Sequence, residues 1–295
     1  MNVLLIHGIG QEASTKQELL EKWEKALHQV SPNLLRSASV EMAYYGTTLA
    51  DWTNNRTTTA VGMGAESTAV DIGNVSELRF LSKFMEEIVT ANGISEREIE
   101  AFAAETDQNY VPMDNFIARR LVGLMRIIEK ISPAKGSLLL RVIRQGHTYL
   151  DSPGAGKAVD DIVRPLLNRS PQVIISHSLG SVIAFKLLRE MEAANADVEI
   201  PLLITLGSPL GVDAFKAKLG APRRKPAIVR QWSNFYDPSD FVTLGKPLDQ
   251  KNFAEGISND GSVDNATVNA HGIVGYLPHH GVIKELRNIL PAAIY

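Results

Sequence analysis

The sequence contains no cysteine. Disulfides, thiolate metal sites and a cysteine nucleophile are therefore excluded. It also lacks a large excess of either charge: 30 Lys and Arg against 33 Asp and Glu leave a formal net charge of -3. So close a balance creates no general field for nucleic acid or for an anionic membrane. The short basic runs Arg119-Arg120 and Arg223-Arg224-Lys225 fall below the five or so like charges that mark a tail or patch, and read as solvated surface. No stretch approaches the ~18 consecutive apolar residues of a membrane span. The apolar run Val3 to Ile6 has no basic region before it and stops at His7-Gly8, unlike a signal segment. A soluble, cytoplasmic chain is expected, with no nucleic-acid partner and no integral membrane association.

What is present is a 44% apolar chain of 295 residues, enough for a substantial core and consistent with one domain. Val3 to Ile6 reads as a strand buried on both faces. Ser14 and Gln17 fit a capping box before the helical stripe Leu19, Leu20, Trp23, Leu27 and Val30. Val40 to Tyr45 suits a second strand, and Thr53 to Asn74, rich in Thr, Asn, Gly and Ala, a loop. Residues 75–150 carry helical stripes only: Leu81, Phe84, Met85, Ile88 and Val89 up to Gly93, a capping box at Ser95 and Glu98, then Ile117, Leu121, Leu124, Ile128 and Ile131, then Leu138 to Ile143. From Ala155 strands and helices alternate again, with strands at Val173 to Ile175, Ile200 to Leu206 and Ala227 to Tyr236 and a closing helix over Val282 to Leu290. This pattern predicts an α/β fold, a mostly parallel central sheet flanked by helices. Residues 1–295 form one domain in this reading, and 75–150 a helical insertion within it.

The chemistry concentrates at Ser176-His177-Ser178-Leu179-Gly180-Ser181. The segment follows an apolar strand and opens an apolar helix, the setting of a nucleophile elbow. The usual pattern is G-x-S-x-G. Gly180 holds its second glycine, and Ser176 replaces the first. Ser178 is the candidate nucleophile because it stands two residues before Gly180, with Ser176 its rival. His7-Gly8-Ile9-Gly10 follows the first strand, and its glycines allow a close backbone approach. The amides of Ile9 and Leu179 are the candidate oxyanion donors, and His7 is expected to hold that loop. A serine needs a base oriented by an acid, and in the α/β order both lie downstream. Asp237 and Asp240 both qualify as the acid. Asp240 is preferred, since Asp237 before Pro238 suits a turn. His271, in a loop before the last helix, is the expected base; His279 and His280 fit cap or surface roles, and His28 and His147 precede the serine. Gly154-Ala155-Gly156-Lys157-Ala158 misses two positions of a phosphate loop, and no His, Asp or Glu spacing suggests a metal. No cofactor and no metal are expected.

The strings HGIG, SHSLGS, TLGSPLG (Thr205 to Gly211), WSNFYDPSD (Trp232 to Asp240) and AHGIVGY (Ala270 to Tyr276), in that order, resemble the lipase- and esterase-related α/β-hydrolases. The resemblance covers roughly residues 1–45 and 155–290. It implies an α/β-hydrolase fold, Asp240 as the triad acid in a D-x-V motif, His271 as the base, and a Gly-Ser-Pro-Leu segment beside the acyl pocket. The implied activity is a serine hydrolase cleaving carboxylic esters, with a small-molecule or lipid acyl ester as substrate. Thioesterase, amidase, phospholipase and acyltransferase chemistry use the same residues, and a non-catalytic binding module uses the same fold. The apolar stripes of 75–150 suit either a lid over an acyl pocket or simple packing on the core.

Overall fold

The computed structural model describes residues 1–54, 60–61, 70–71, 75–104, 123–124, 126–127, 133–265 and 269–290. Its strands are β1 (Asn2–Ile6), β2 (Ser39–Ala43), the two-residue pair β3 (Ala60–Val61) and β4 (Val70–Asp71), β5 (Gln172–His177), β6 (Ile200–Leu206), β7 (Val229–Phe235) and β8 (Ser258–Asp260). Six of them form one sheet in the order β2-β1-β5-β6-β7-β8, and every neighbouring pair is parallel. β3 and β4 pair antiparallel, apart from it.

Alternation along the strands divides the core in two. Val3, Leu5, Val173, Ile175 and Ile204 point to one face. There they meet Leu19, Trp23 and Leu27 of α1 (Lys16–His28) and Val282, Ile283 and Leu286 of the C-terminal helix. Leu4, Ile6, Ile174 and Leu203 point to the other. Continuous apolar strands are what two covered faces demand.

The second face carries most of the helices. They are α2 (Gly46–Asn54), α3 (Val75–Asn92), α4 (Glu96–Ala104), α5 (Pro133–Asp151), α6 (Pro153–Leu167) and α7 (Leu179–Ala193). Leu81, Phe84, Met85 and Ile88 of α3 and Leu139, Leu140, Val142 and Ile143 of α5 belong to the same buried cluster as Leu4 and Ile174. These stripes therefore pack into the sheet's own core. Three further helices follow among the described residues: α8 (Asp213–Leu219), α9 (Ile273–Tyr276) and α10 (His280–Ile289). No helix among the described residues is long and apolar enough to cross a membrane.

The structure departs from the sequence reading in four places. The first capping box is Thr15 with Glu18, one residue later than expected. Thr15 Oγ1 accepts the Glu18 N–H at 3.2 Å, and a Glu18 carboxylate oxygen accepts the Thr15 N–H at 2.7 Å. An ionised Glu is a stronger acceptor than Gln and suits a helix's positive end. Gln17 instead donates to Glu21. That helix ends at His28, leaving Val30 exposed. α2 fills residues 46–52, to which the sequence reading assigns no element, and reaches into the first two residues of the expected loop, its threonine-containing sequence being a poor helix former stabilised by burial of Leu49, Ala50 and Thr53. β8 and α8 are too short to show a period. Ile117, Leu121, Ile128 and Ile131 lie outside the described residues. The Gly154 to Ala158 segment lies inside α6, so it is no phosphate loop.

Candidate active site

β1 pairs with β2 on one side and β5 on the other, and the chain proceeds outward in both directions from that junction. In open parallel sheets such a switch point leaves a crevice at the carboxyl ends of the two strands. Two segments end there: His7-Gly8-Ile9-Gly10 after β1, and Ser178 after β5. The register pairs Ile6 with Ser176, which brings Gly8 level with Ser178.

Ser178 has φ 53° and ψ -127°, a left-handed backbone that costs a serine on the order of 1–3 kcal/mol. Its surroundings enforce it. The Ser178 N–H donates to Leu206 O at 3.0 Å. Its carbonyl accepts the Ser181 N–H at 2.9 Å and the Ser181 hydroxyl at 2.6 Å. A Cβ at Gly180 would lie 2.4 Å from both Ile6 O and His7 O, and one at Gly8 would lie 2.8 Å from Ser178 Cβ. Only glycine fits either place. Ser176, at the first glycine position of the pattern, is wholly buried in β5 and donates its hydroxyl to Ile204 O at 3.1 Å. Its side chain is engaged in the sheet, unlike that of Ser178.

Leu179 is the first residue of α7, and the amides of a helix's first turn have no intrahelical acceptor. Ile9 is buried in the facing loop. That loop is held from two directions. Tyr45 donates its N–H to His7 Nε2 at 3.1 Å and its hydroxyl to His7 O. Gly10 donates its N–H to Gln145 Oε1 of α5 at 3.3 Å. His7 is fully buried, and desolvation lowers its pKa from 6.5 to about 4, against a smaller opposing effect of its bond to Gly8 O. It stays neutral and holds the loop.

The acid and the base meet on the other side of Leu206-Gly207. Asp240 Oδ2 lies 2.8 Å from His271 Nδ1, and both side chains are buried. The same oxygen accepts the Tyr276 hydroxyl at 2.8 Å, while Asp240 Oδ1 accepts the Val242 N–H at 2.8 Å. A buried carboxylate is tolerable because it is satisfied in this way. Gly207, at φ +56°, has no side chain to obstruct the pair: a Cβ there would stand 3.1 Å from Asp240 Oδ2 and 3.2 Å from His271 Nδ1. Asp237 does not reach His271. It accepts the Ser239 N–H and hydroxyl and the Asn265 N–H, each at 2.7 Å, and so closes the loop that carries Asp240.

Two supporting residues, Tyr276 and His177, are not singled out by the sequence. Tyr276 holds Asp240 and also accepts the Asp237 N–H at 3.1 Å. Burial, then the Asp240 carboxylate, push its phenol well above the ordinary tyrosine value, so it remains a donor. His177 bonds to His271 O through Nε2 at 2.9 Å and its ring lies 4.7 Å from that of His271. Burial, then the neighbouring His271, keep it neutral. Their only sequence signal is position, Tyr276 at the end of the AHGIVGY string and His177 directly before Ser178.

No family model matches the chain, and no curated protein and no solved structure matches it. The site is therefore read from its own geometry. Ser178 Oγ and His271 Nε2 are both buried and, among the described residues, neither has a hydrogen-bond partner. Such atoms are rare in folded proteins and call for an explanation. A cleft of about 110 Å³ runs between the β1 loop and the His271 loop, lined by Gly8, Ile9, His177 and His271 with Trp23 of α1 and Leu138 of α5. A smaller one of about 10 Å³ lies on the Asp240 side of His271, where Leu138, Leu139 and Val242 line it. Ser178 lines neither, and the Gly207 to Leu210 segment lines neither. The remaining histidines stand elsewhere. His147 pairs with Asp151 at 3.2 Å, His28 is exposed at the end of α1, and His279 caps α10.

Proposed function

We propose that the chain is a serine hydrolase of the α/β-hydrolase type that cleaves carboxylic esters through Ser178, His271 and Asp240. The observation that carries this reading is that Ser178 Oγ and His271 Nε2 are two of the few buried side-chain atoms without a hydrogen-bond partner among the described residues. A serine held in a left-handed turn and an imidazole already fixed at Nδ1 by a carboxylate leave one donor and one acceptor for a reacting group. In the proposed reaction His271 Nε2 takes the Ser178 proton as Oγ attacks the ester carbonyl. The Ile9 and Leu179 amides receive the oxyanion. His271 then protonates the leaving alcohol, and water, deprotonated by His271, releases the acid from the acyl-enzyme. Asp240 keeps the imidazole in the Nδ1–H tautomer throughout, and Tyr276 keeps Asp240 in place. The substrate is a small-molecule or lipid acyl ester.

The rival reading is a non-catalytic module of the same architecture. Complete burial of Ser178 favours it; an Asp240–His271 pair formed at Nδ1, with His271 Nε2 and Ser178 Oγ both left without a partner, favours the enzyme. A fluorophosphonate probe separates the two. Wild-type protein is expected to label, and Ser178→Ala to stay unlabelled, with ester turnover reduced on the order of 10⁶-fold if serine and histidine act as a unit. Labelling that survives in Ser178→Ala would sink the assignment, and an unlabelled wild type would favour the binding module.

A further inference from the structure

A second cluster of chemically competent side chains lies outside the candidate active site, at the end of β8. Asp260 is the last residue of that strand, and His279 and His280 open α10. One ligand atom from each lies within 4.8 Å of the others. The two imidazoles are adjacent, with ring centroids 4.4 Å apart. Asp260 has one oxygen committed: Oδ1 accepts the Ser262 N–H at 2.9 Å and the Ser262 hydroxyl at 2.6 Å. Its Oδ2 faces Gly281, where a Cβ would come within 2.8 Å of it. The contacts of His279 are long: Nδ1 accepts the Gly281 N–H at 3.3 Å, and Nε2 stands 3.3 Å from Ser262 Oγ. A turn at Ser262 and a cap at Gly281 need one carboxylate oxygen and one imidazole nitrogen. They leave Oδ2 and the His280 ring outside these hydrogen bonds.

We infer that Asp260, His279 and His280 form a binding site for a divalent transition-metal ion of the zinc type. Two imidazoles and a carboxylate suit such ions, whereas magnesium and calcium prefer all-oxygen shells. Ligands on one zinc at about 2.0–2.1 Å stand roughly 3.4 Å apart in a tetrahedron, so the three groups need to close by on the order of 1 Å. The site lies at the surface, leaving the fourth position to water.

The position of the cluster gives the ion a role. The segment between Asp260 and His279 carries His271 and Tyr276, and its start is fixed to the sheet, Tyr236 N–H donating to Asp260 O at 3.0 Å. An ion shared by Asp260 and His279-His280 ties the two ends of that segment together, and so stabilises it against opening.

The test is zinc titration of the chelator-treated full chain by calorimetry, with magnesium as the control ion. One zinc per chain is expected, with no comparable magnesium binding. His280→Ala, at an exposed position, and His279→Ala are each expected to weaken zinc binding at least about tenfold, the smallest loss typical even of residues behind the ligands. Zinc is expected to raise the melting temperature of the wild type and not of His280→Ala, the fold of that variant being checked by circular dichroism. Absence of one-to-one binding, equal binding of magnesium, or undiminished affinity in the double histidine variant each overturn the inference. None of these readouts depends on hydrolase activity, so they leave the proposal for Ser178 to its own test.

Discussion

The two halves of the candidate active site are built by different means. The serine half is held by exclusion. Gly180 is pressed against the backbone of Ile6 and His7 and Gly8 against the side chains of Ser178 and His177, the centres of β1 and β5 are apolar, and Ser178 takes its left-handed turn because little else fits. The acid–histidine half is held by polar contacts among Asp237, Asp240, Tyr276, Asn265 and His271. The contrast teaches that the geometry of one site can depend on steric exclusion at one atom and on hydrogen bonding at another. Mutations should then fail differently on the two sides.

The sharpest test is Gly180→Ala. A methyl group 2.4 Å from two carbonyl oxygens cannot be absorbed by a side-chain rotation. The expected cost exceeds the ~1–3 kcal/mol usual for overpacking, with loss of cooperative unfolding in urea as the observable. A stable, active Gly180→Ala protein would break the comparison. Next comes acid. An unfolded His7 binds a proton below about pH 6.5, whereas the buried one does so only near pH 4. The unfolded chain therefore holds more protons across that window, and stability falls as pH drops through it, by on the order of 3 kcal/mol from His7 alone. His177 acts in the same direction. Urea melts between pH 6.5 and 4 should show the slope, and His7→Gln should flatten it. The smallest effect is Tyr276→Phe, which removes one bond to a buried carboxylate and costs about 1.5–3 kcal/mol. It should lower ester turnover while leaving labelling of Ser178 detectable. Equal loss of both would mean the two halves are less separable than their construction suggests.

The same division explains what could be read from the sequence. Exclusion leaves a local mark. A glycine two residues after a serine, between an apolar strand and an apolar helix, singles out Ser178 as a candidate, and the strands β1, β5 and β6 stand out by their apolar centres. Hydrogen bonding between distant segments leaves almost none. Asp237 and Asp240 stand three residues apart; the sequence prefers Asp240 only because Pro238 after Asp237 suits a turn and through the D-x-V resemblance, and the fold shows that one turns toward Asn265 and the other toward His271. Asp260 and the histidines at 279 and 280 have no readable spacing either, since a strand end and a helix start bring them together. α2 was missed because its threonines disfavour helix and its stability comes from burial.

The placement of β1 has a consequence for synthesis. It emerges from the ribosome first among the strands, yet it occupies the interior of the sheet between β2 and β5. β2 can cover one of its edges early, but Gln172, which pairs with Asn2, appears well over a hundred residues later. At typical rates of about 5–20 residues per second, the second edge waits on the order of ten seconds for its partner. Throughout that interval an apolar strand with free backbone groups is available to any other nascent chain. The yield of folded protein should therefore respond to translation speed and chaperone supply, and slowing elongation before residue 172 should cost more than slowing it afterwards.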